Sequence, residues 1–467
     1  MDEILCDELI QETFRRLPPP SAESITLVSK RWLRLYRASQ SSLSLTLSSR
    51  ICTPSQLSSF LLHFRFLNSL SIVAVAETLT FSDQLFHAVA DSCPNLRHLR
   101  FQSSPVSTLP LFNLSTRCPH LTSLSVSLSR PLFFPWIIGC RNLKHLSVTF
   151  SGSGSVSSSD EFEFQSQSND FDYHLKLESL NLIGIKHDDQ GLDFLWRICN
   201  NLKKLQLRSC GGIGTDTSES SFINCLKNIQ EIELRSCRTI LDQVLSQLTE
   251  ISTSLQSLLV YDGGSTDGLR QFINKNKSNL QKLDLRLPLD LDNTHLLSMA
   301  EKLTGLSTLK LENCCLVTGE GLEAISISMG GFLEELSLVN CDVVEREAGL
   351  LSTMGQKLRK LKKLDLSYND LLWDRELASM LISCSNLIEL KLRGCSTLSN
   401  LTMLTICKRC KKLENLDVRD CDRIGANAVE LLLLNSFRLR LVAVEAVKVS
   451  ETARRWALNS FIEIIFH

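Results

Sequence analysis

NLKKLQLRSC (201–210), NIQEIELRSC (228–237), GLSTLKLENC (305–314), FLEELSLVNC (332–341), NLIELKLRGC (386–395) and KLENLDVRDC (412–421) repeat one phrase, leucine–x–x–leucine–x–leucine closed by cysteine. Taking the first leucine or its equivalent as an anchor, further turns begin at Leu67, Leu96, Leu121, Leu143, Leu177, Leu255, Leu280, Leu361 and Leu439. A degraded first turn, SSLSLTL (41–47), anchors at Ser42, and the period is about 26 residues. A period in this range marks a solenoid, in which each unit buries its apolar face against its neighbours. The leucine-x-leucine pair of each turn is expected to point inward from a short strand, with its neighbours facing solvent and successive strands paired in parallel. The closing cysteine, or Asn369 in LDLSYND (364–370), turns the chain and satisfies backbone groups inside the bend. Amphipathic runs such as GEGLEAISISM (Gly319–Met329) and ANAVELLLL (426–434) return along the outside as helices. Helices outside and strands inside differ in width, which curves such a stack into a horseshoe. Strands spaced about 4.8 Å apart give sixteen turns an inner arc of roughly 75 Å, a length suited to a protein partner.

Seventeen cysteines invite a disulfide framework, but their register argues otherwise. Cys210, Cys237, Cys314, Cys341, Cys395 and Cys421 follow their anchors by eight residues, and Cys93, Cys118, Cys140, Cys199, Cys384 and Cys410 precede theirs by three. Cys6, Cys52, Cys225, Cys315 and Cys407 fall outside both sets. Equivalent positions in a stack form rows rather than pairs, so the cysteines read as small buried hydrophobes in a reduced, intracellular chain. No CxxC pairs with another CxxC or with HxxxH, so neither a metal nor a cofactor is expected. Lys+Arg 50 against Asp+Glu 51 gives a net charge of −1, and no global field favours nucleic acid or an anionic membrane. No apolar run reaches 18 residues, and the acidic start MDEILCDELIQ lacks the form of a secretory signal. These features predict a protein of the cytoplasm or nucleus.

The interval from Leu143 to Leu177 is longer than the rest and holds SGSGSVSSSDEFEFQSQSND (151–170). This acidic low-complexity stretch predicts a disordered insertion over 151–174, either a tolerated loop or a site of phosphorylation or partner binding. At the C-terminus, RLRLVAVE (438–445) reads as a last strand and SETARRWALNSFIEII (450–465) as a capping helix. Ser450 would start that helix, with Trp456 and Phe461 covering the end of the core. The first 40 residues hold three helical pieces. Asp7 caps the first, which carries Ile10, Phe14 and Leu17 and ends at Pro18–Pro20; Ser21 starts the second and Ser29 the third. So small a unit leaves apolar residues that it cannot bury alone. The expected domains are therefore 1–40, 41–445 and 446–467.

The repeat resembles the cysteine-containing class of leucine-rich repeats over roughly 42–445. The N-terminus resembles the F-box in Leu5-Cys6-Asp7-Glu8-Leu9, Thr13-Phe14, Leu17 and Leu27-Val28-Ser29-Lys30-Arg31-Trp32. Cys6 stands where that pattern has proline, Thr13 where it has isoleucine and Ser29 where it has cysteine. The resemblance implies an α/β chain, a three-helix F-box followed by a leucine-rich-repeat solenoid of about 15–16 turns. By the same resemblance Leu5, Leu9, Ile10, Phe14, Leu27, Val28 and Trp32 dock or support a Skp-family adaptor. F-box followed by repeats is similar to the substrate receptors of Skp–cullin–F-box ubiquitin ligases, in style closest to plant examples. Such receptors hold a target for ubiquitination catalysed elsewhere, so no enzyme activity is expected of this chain.

For target binding, the solvent-facing positions six residues after the anchors carry Arg208, Arg235, Arg286, Arg393 and Arg419. Guanidinium groups there would grip a carboxylate or phosphate, or else pair across strands with Glu231, Glu233, Asp284 and their neighbours. Leu259 and Tyr261, apolar and aromatic on one strand face, make the better interface anchors. GGIGTD (211–216) imitates one calcium-repeat unit but stands alone, and no GxxxxGK, GxSxG or HExxH occurs. Three readings follow: a ligase substrate receptor, a hormone or small-molecule co-receptor on the same framework, and a ligase-independent scaffold.

Overall fold

The computed structural model describes residues 5–16, 24, 27–48, 52–75, 78–152, 175–214, 216–288 and 291–466. The chain divides into two units, Met1–Asn228 and Ile229–His467. The N-terminal unit holds seven strands: β1 (Ser42–Ser48), β2 (Ser69–Val75), β3 (His98–Gln102), β4 (Ser123–Ser129), β5 (His145–Ser151), β6 (Ser179–Ile183) and β7 (Lys204–Arg208). Each pairs in parallel with the next. Alternation is strict where the sequence asks for it. In β4, Leu124, Val126 and Leu128 are buried while the serines between them face outward. Burying a leucine of this kind contributes about 1.5–3 kcal/mol, and the repeat supplies two per turn.

The register corrects the first anchor. Ser42 lies opposite Ser69, which follows Leu67 by two residues, so the position equivalent to Leu67 is Gln40 rather than Ser42. The long interval leaves the ladder intact, because His145 on β5 still faces Ser179 on β6. Most of the predicted insertion, residues 153–174, lies outside the described residues.

The C-terminal unit continues the pattern with β8 (Glu231–Arg235), β9 (Ser257–Gly263), β10 (Lys282–Pro288), β11 (Thr308–Glu312), β12 (Glu335–Val339), β13 (Lys363–Asp365), β14 (Glu389–Lys391), β15 (Asn415–Asp417), β16 (Leu441–Ala443) and β17 (Glu463–Ile465). These too pair in parallel, each with the next. The return segments are helical as expected, including Gly319–Met329 and Ala426–Asn435.

Both cysteine rows have a structural task. The row three residues before the anchors closes the return elements: Cys93, Cys118, Cys140, Cys199, Cys384 and Cys410 are all helix C-caps. The other row sits inside the bend and donates its thiol to the preceding turn. Cys395 Sγ reaches Leu366 O at 3.2 Å and Cys421 Sγ reaches Leu392 O at 3.0 Å. Asn369 does the same work with an amide, donating to Leu338 O and Leu366 O at 2.8 and 2.7 Å and accepting from Cys341 N at 2.9 Å. Among the described residues every cysteine is a free thiol. Burial pushes thiols such as Cys93 and Cys140 up to about 12, which keeps them protonated and inert.

One feature of the bend escapes the leucine pattern. In the turns of β7–β15 the residue just before the closing position is left-handed: Ser209, Ser236, Asp262, Leu287, Asn313, Asn340, Tyr368 and Asp420 have φ between 47° and 61°, and Gly394 has φ 72°. Side chains resist this region, asparagine and aspartate least. Here the cost is offset because the amide so turned extends the ladder, as in Asn340 N to Ser367 O at 3.0 Å and Gly394 N to Arg419 O at 2.9 Å.

A second ladder binds the outer helices. A polar side chain near the start of one helix accepts the backbone amide at the start of the next. Asp83 takes Ser107 N at 2.8 Å, Asp242 takes Ser265 N at 3.0 Å, Asn293 takes Thr318 N at 2.9 Å and Asn400 takes Gly425 N at 2.8 Å. Asp374 is the richest case, accepting Ser399 N and Oγ at 3.0 and 2.8 Å and Thr402 N and Oγ1 at 3.2 and 2.5 Å. Partial burial raises its pKa, but these donors outweigh that and hold the carboxyl below the usual carboxylate range. A depressed carboxylate stabilises the fold above the unfolded value near 4 and loses that contribution as pH falls through the folded value. Asp374→Ala should therefore cost about 1–3 kcal/mol in urea unfolding at pH 7, with a smaller difference from the parent near pH 3. A difference independent of pH would contradict this account.

The C-terminal cap departs from expectation. Ser450 does cap a helix, accepting from Ala453 N at 3.2 Å, but the helix is Glu451–Asn459 and does not reach residue 465. Phe461 turns left-handed (φ 57°) and is 92% exposed, so it covers no core. That turn returns the chain to the sheet as β17, with Ile462 buried behind it. Trp456 does lie against the last repeat, its indole Nε1 3.3 Å from Leu433 O.

Candidate functional site: an apolar N-terminal surface and a charged strand face

Two helices are described before β1: α1 (Asp7–Arg16) and α2 (Lys30–Ser39). Ser29 caps α2, accepting from Trp32 N at 3.1 Å. Asp7 is not the cap expected of it, because it is the first residue of α1 and its carboxylate is held by Arg31 Nη2 and Nε at 2.6 and 3.0 Å. Arg31 also donates to Leu5 O at 2.9 Å, so one guanidinium ties the start of α1 to the start of α2. Most of the proposed second helix, including Ser21 and Ile25, lies outside the described residues, as do Leu17 and Pro18–Pro20.

The two helices close around a core of their own. Ile10, Phe14 and Leu35 are buried together, with Leu5, Trp32 and Tyr36 packed on them. Phe14 meets Trp32 and Tyr36 edge-on at centroid distances of 5.4 and 5.9 Å, a favourable aromatic geometry. Ile10 and Phe14 are therefore interior side chains that support a surface rather than form it, and Leu5 and Trp32 are half-buried. The exposed ones are Leu9 on α1 and Leu27 and Val28 in the turn before α2, at 56%, 85% and 57%. Of the seven residues singled out in the sequence, the structure brings four into one cluster and leaves three bare.

On the C-terminal unit's strand face, the arginines are already engaged. Arg286 forms two bonds to Asp284 at 2.8 Å, and Arg419 binds Asp417 at 2.9 and 2.6 Å. Arg235 pairs with Glu233 in the same way. The closest of these pairings run along one strand, between residues two apart; the cross-strand pairing that the sequence suggested is present as well, with Arg286 3.7 Å from Glu312 on the next strand. Arg393 does reach across, to Asp420 at 2.7 Å, and lies over the Tyr368 ring at 5.7 Å. Lys310–Glu335 at 2.6 Å and Lys391–Glu389 at 2.9 Å complete a neutral lattice. Its hydrogen bonds to carboxylates push Arg286 and Arg419 above their ordinary values. A charge already paired gives up that pairing before it can hold a ligand, so these arginines are weak candidates for direct contact. Leu259 and Tyr261 are half-buried within this lattice, Tyr261 in register between Arg235 and Arg286. Arg208 is half-buried on β7 of the N-terminal unit, opposite Ile183.

Among the described residues no group of histidine, cysteine or carboxylate side chains is placed to hold a metal, and no helix is long and apolar enough to cross a membrane.

The chain is similar to curated proteins over part of its length. It is 26% identical over 200 residues, 42% of its length, to F-box/LRR-repeat protein 4 of Bos taurus, covering 32% of that protein. It is 28% identical over 160 residues, 33% of its length, to F-box protein FBW2 of Arabidopsis thaliana, covering 49% of that one. This likeness to F-box/leucine-rich-repeat proteins is weak, and the chain spans about a third to a half of the length of the curated relatives it matches. No family model matches the chain. Among solved structures, the yeast Rad7 and Elc1 complex matches over 99% of this chain and 93% of that one, at 18% identity and a TM-score of 0.48. The leucine-rich repeat-containing protein LegL7 from Legionella pneumophila matches over 60% of this chain and 96% of that one, at 14% identity and a TM-score of 0.43.

Proposed function

We propose that this chain is the substrate-recognition subunit of a Skp–cullin–F-box ubiquitin ligase. In this reading residues 1–40 form an F-box that docks a Skp-family adaptor through Leu9, Leu27 and Val28, backed by Leu5, Ile10, Phe14 and Trp32. The repeats of 41–445, closed by 446–467, present a target. The observation that carries the reading is the exposure of Leu9 on α1 and of Leu27 and Val28 in the turn before α2, beside helices that already own a core. A piece serving only to close the repeat stack would turn those side chains inward. The weak likeness to F-box/leucine-rich-repeat proteins supports the same reading. Catalysis belongs to other subunits: the chain raises the effective concentration of target lysines near the transfer site, and no side chain here acts as acid, base or nucleophile.

The test is co-purification of the full chain with a Skp-family adaptor and a cullin, set beside a chain lacking residues 1–40. The full chain should capture the adaptor and the shortened one should not. Equal capture by both, or by neither, would remove the ligase reading and leave a scaffold that works through its repeats alone. The plant style of the sequence and a location in cytoplasm or nucleus remain part of this proposal.

A further inference from the structure

The near-zero net charge of the chain hides an uneven placement of charge within the C-terminal unit. Outer helices end at Lys357, Ser383, Arg409 and Asn435, and short connectors lead from them into β13, β14, β15 and β16. These strands pair in order, so the connectors lie side by side along one edge of the sheet. That edge is basic. The turn of β13 brings Lys357, Arg359 and Lys360 to it, all exposed. The turn of β15 brings Lys408, Arg409, Lys411 and Lys412, and that of β16 brings Arg438, all exposed as well. None of these cations is ion-paired among the described residues. Over 356–363, 382–389, 407–414 and 435–440 the carboxylates are Glu389 and Glu414, already held by Lys391 at 2.9 Å and Arg440 at 3.5 Å. Lys357, Lys408 and Arg409 close their helices and complement the carbonyl ends there. Arg359, Lys360, Lys412 and Arg438 lie beyond the helices, where that effect has faded. The balancing acids, such as Asp370, Asp374, Asp420 and Asp422, sit at the opposite edge, between strand end and helix start.

Apolar side chains stand among these cations. Phe332, Ile382 and Phe437 are 60%, 57% and 96% exposed, and Lys360 lies over the Phe332 ring at 5.6 Å. They belong to the turns of β12, β14 and β16 and so alternate with the most basic turns, those of β13 and β15. We propose that this edge binds the surface of an anionic lipid bilayer, with the cations on the headgroups and the three apolar side chains in the interface below them. Lysine and arginine carry their charge on long apolar stems, which suits them to that boundary. A protein partner buries its anchors as one packed cluster, whereas these three are kept apart by basic turns. A bilayer interface accepts each of them where it stands. Single-stranded nucleic acid would stack on aromatic rings, and Ile382 offers none. Each cation near an anionic surface strengthens binding about fivefold, so the edge holds a membrane reversibly without a lipid anchor. The proposal does not depend on the receptor reading.

The test floats the full chain with vesicles of phosphatidylcholine alone or mixed with phosphatidylserine. Binding to the mixed vesicles should be about tenfold or more the stronger, and added salt should weaken it. Lys411→Glu with Lys412→Glu should lower it about a hundredfold, and the milder Lys411→Gln with Lys412→Gln about twentyfold. Arg375→Glu with Arg423→Glu makes the same change of net charge at exposed positions of the opposite edge and should leave binding nearly unchanged. Phe437→Ser should cost about tenfold, a share that persists in salt. Equal binding to both vesicles, equal loss in the two glutamate pairs, or no flotation overturns the proposal. Capture of a uridine oligonucleotide by a chain that ignores vesicles overturns it too, and would assign the edge to nucleic acid.

Discussion

A chain carrying Leu9→Asp and Leu27→Asp should lose capture of a Skp-family adaptor by roughly a hundredfold or more while melting with the parent. Leu27 stands in solvent and Leu9 is more than half exposed, so the folded chain loses little packing when they change, and aspartate costs the exposed face of α1 only about half a kilocalorie per mole in helix propensity. In a complex each leucine would be covered, and covering one is worth about 1.5–3 kcal/mol, to which burial of an unpaired carboxylate adds a further penalty. Trp32→Ala makes the informative comparison. That ring packs on Phe14 rather than facing outward, so its removal should weaken capture by loosening the α1–α2 core, and should show as faster hydrogen exchange in both helices. Unchanged adaptor affinity in the double aspartate variant would mean that these bare side chains serve another purpose, and the receptor reading would fall with it.

How far the sequence could be read depended on whether a position recurs. Leucines at a fixed spacing specify inward-facing strand positions, and every such strand formed. The cysteine rows read correctly as buried, because a residue type repeated in register has one environment. What single turns do was less legible. Phe461 occupies the place of an anchor at the last strand, but no further turn follows to cover it, so an apolar side chain that the pattern would bury stands in solvent. The left-handed corner was missed because its occupants share no side-chain chemistry: serine, aspartate, leucine, asparagine and tyrosine all hold it. The clustering of Asn313, Asn340, Gly394 and Asp420 one residue before the closing cysteine was the available signal. Among the site residues, the arginine column and its carboxylate neighbours were legible, but not that Arg235, Arg286 and Arg419 pair with the carboxylate two residues before them on their own strand. Charge counted by column drew attention to the C-terminal unit. That β1–β7 carry no carboxylate appears only when the strands are laid side by side.

The largest effect on stability is expected where the repeat is interrupted. Arg130 and Asp189 are both almost completely buried, joined by Nε to Oδ1 at 2.6 Å and Nη2 to Oδ2 at 3.0 Å. Arg130 also donates to Gly184 O at 2.6 Å and Gly152 O at 3.1 Å, and Asp189 accepts Lys186 N at 2.7 Å. The cluster thus ties together the segments that leave β4, β5 and β6, at the point where the long interval begins. A turn of ordinary length is held in place by its neighbours' leucines; here the chain departs after Gly152, and a fixed polar node keeps β5 and β6 in register. Removing one partner strands the other charge away from water, so Arg130→Ala or Asp189→Ala should each destabilise the N-terminal unit by about 3–5 kcal/mol. Arg130→Met with Asp189→Leu leaves no buried charge and should cost clearly less than the two single changes together. Hydrogen exchange should locate the loss, with amides of β4–β6 opening sooner while those of β11 and β12 keep their protection. Additive costs across the pair, or loosening spread equally over both units, would show that the node is incidental and that leucine packing alone carries the chain past the insertion.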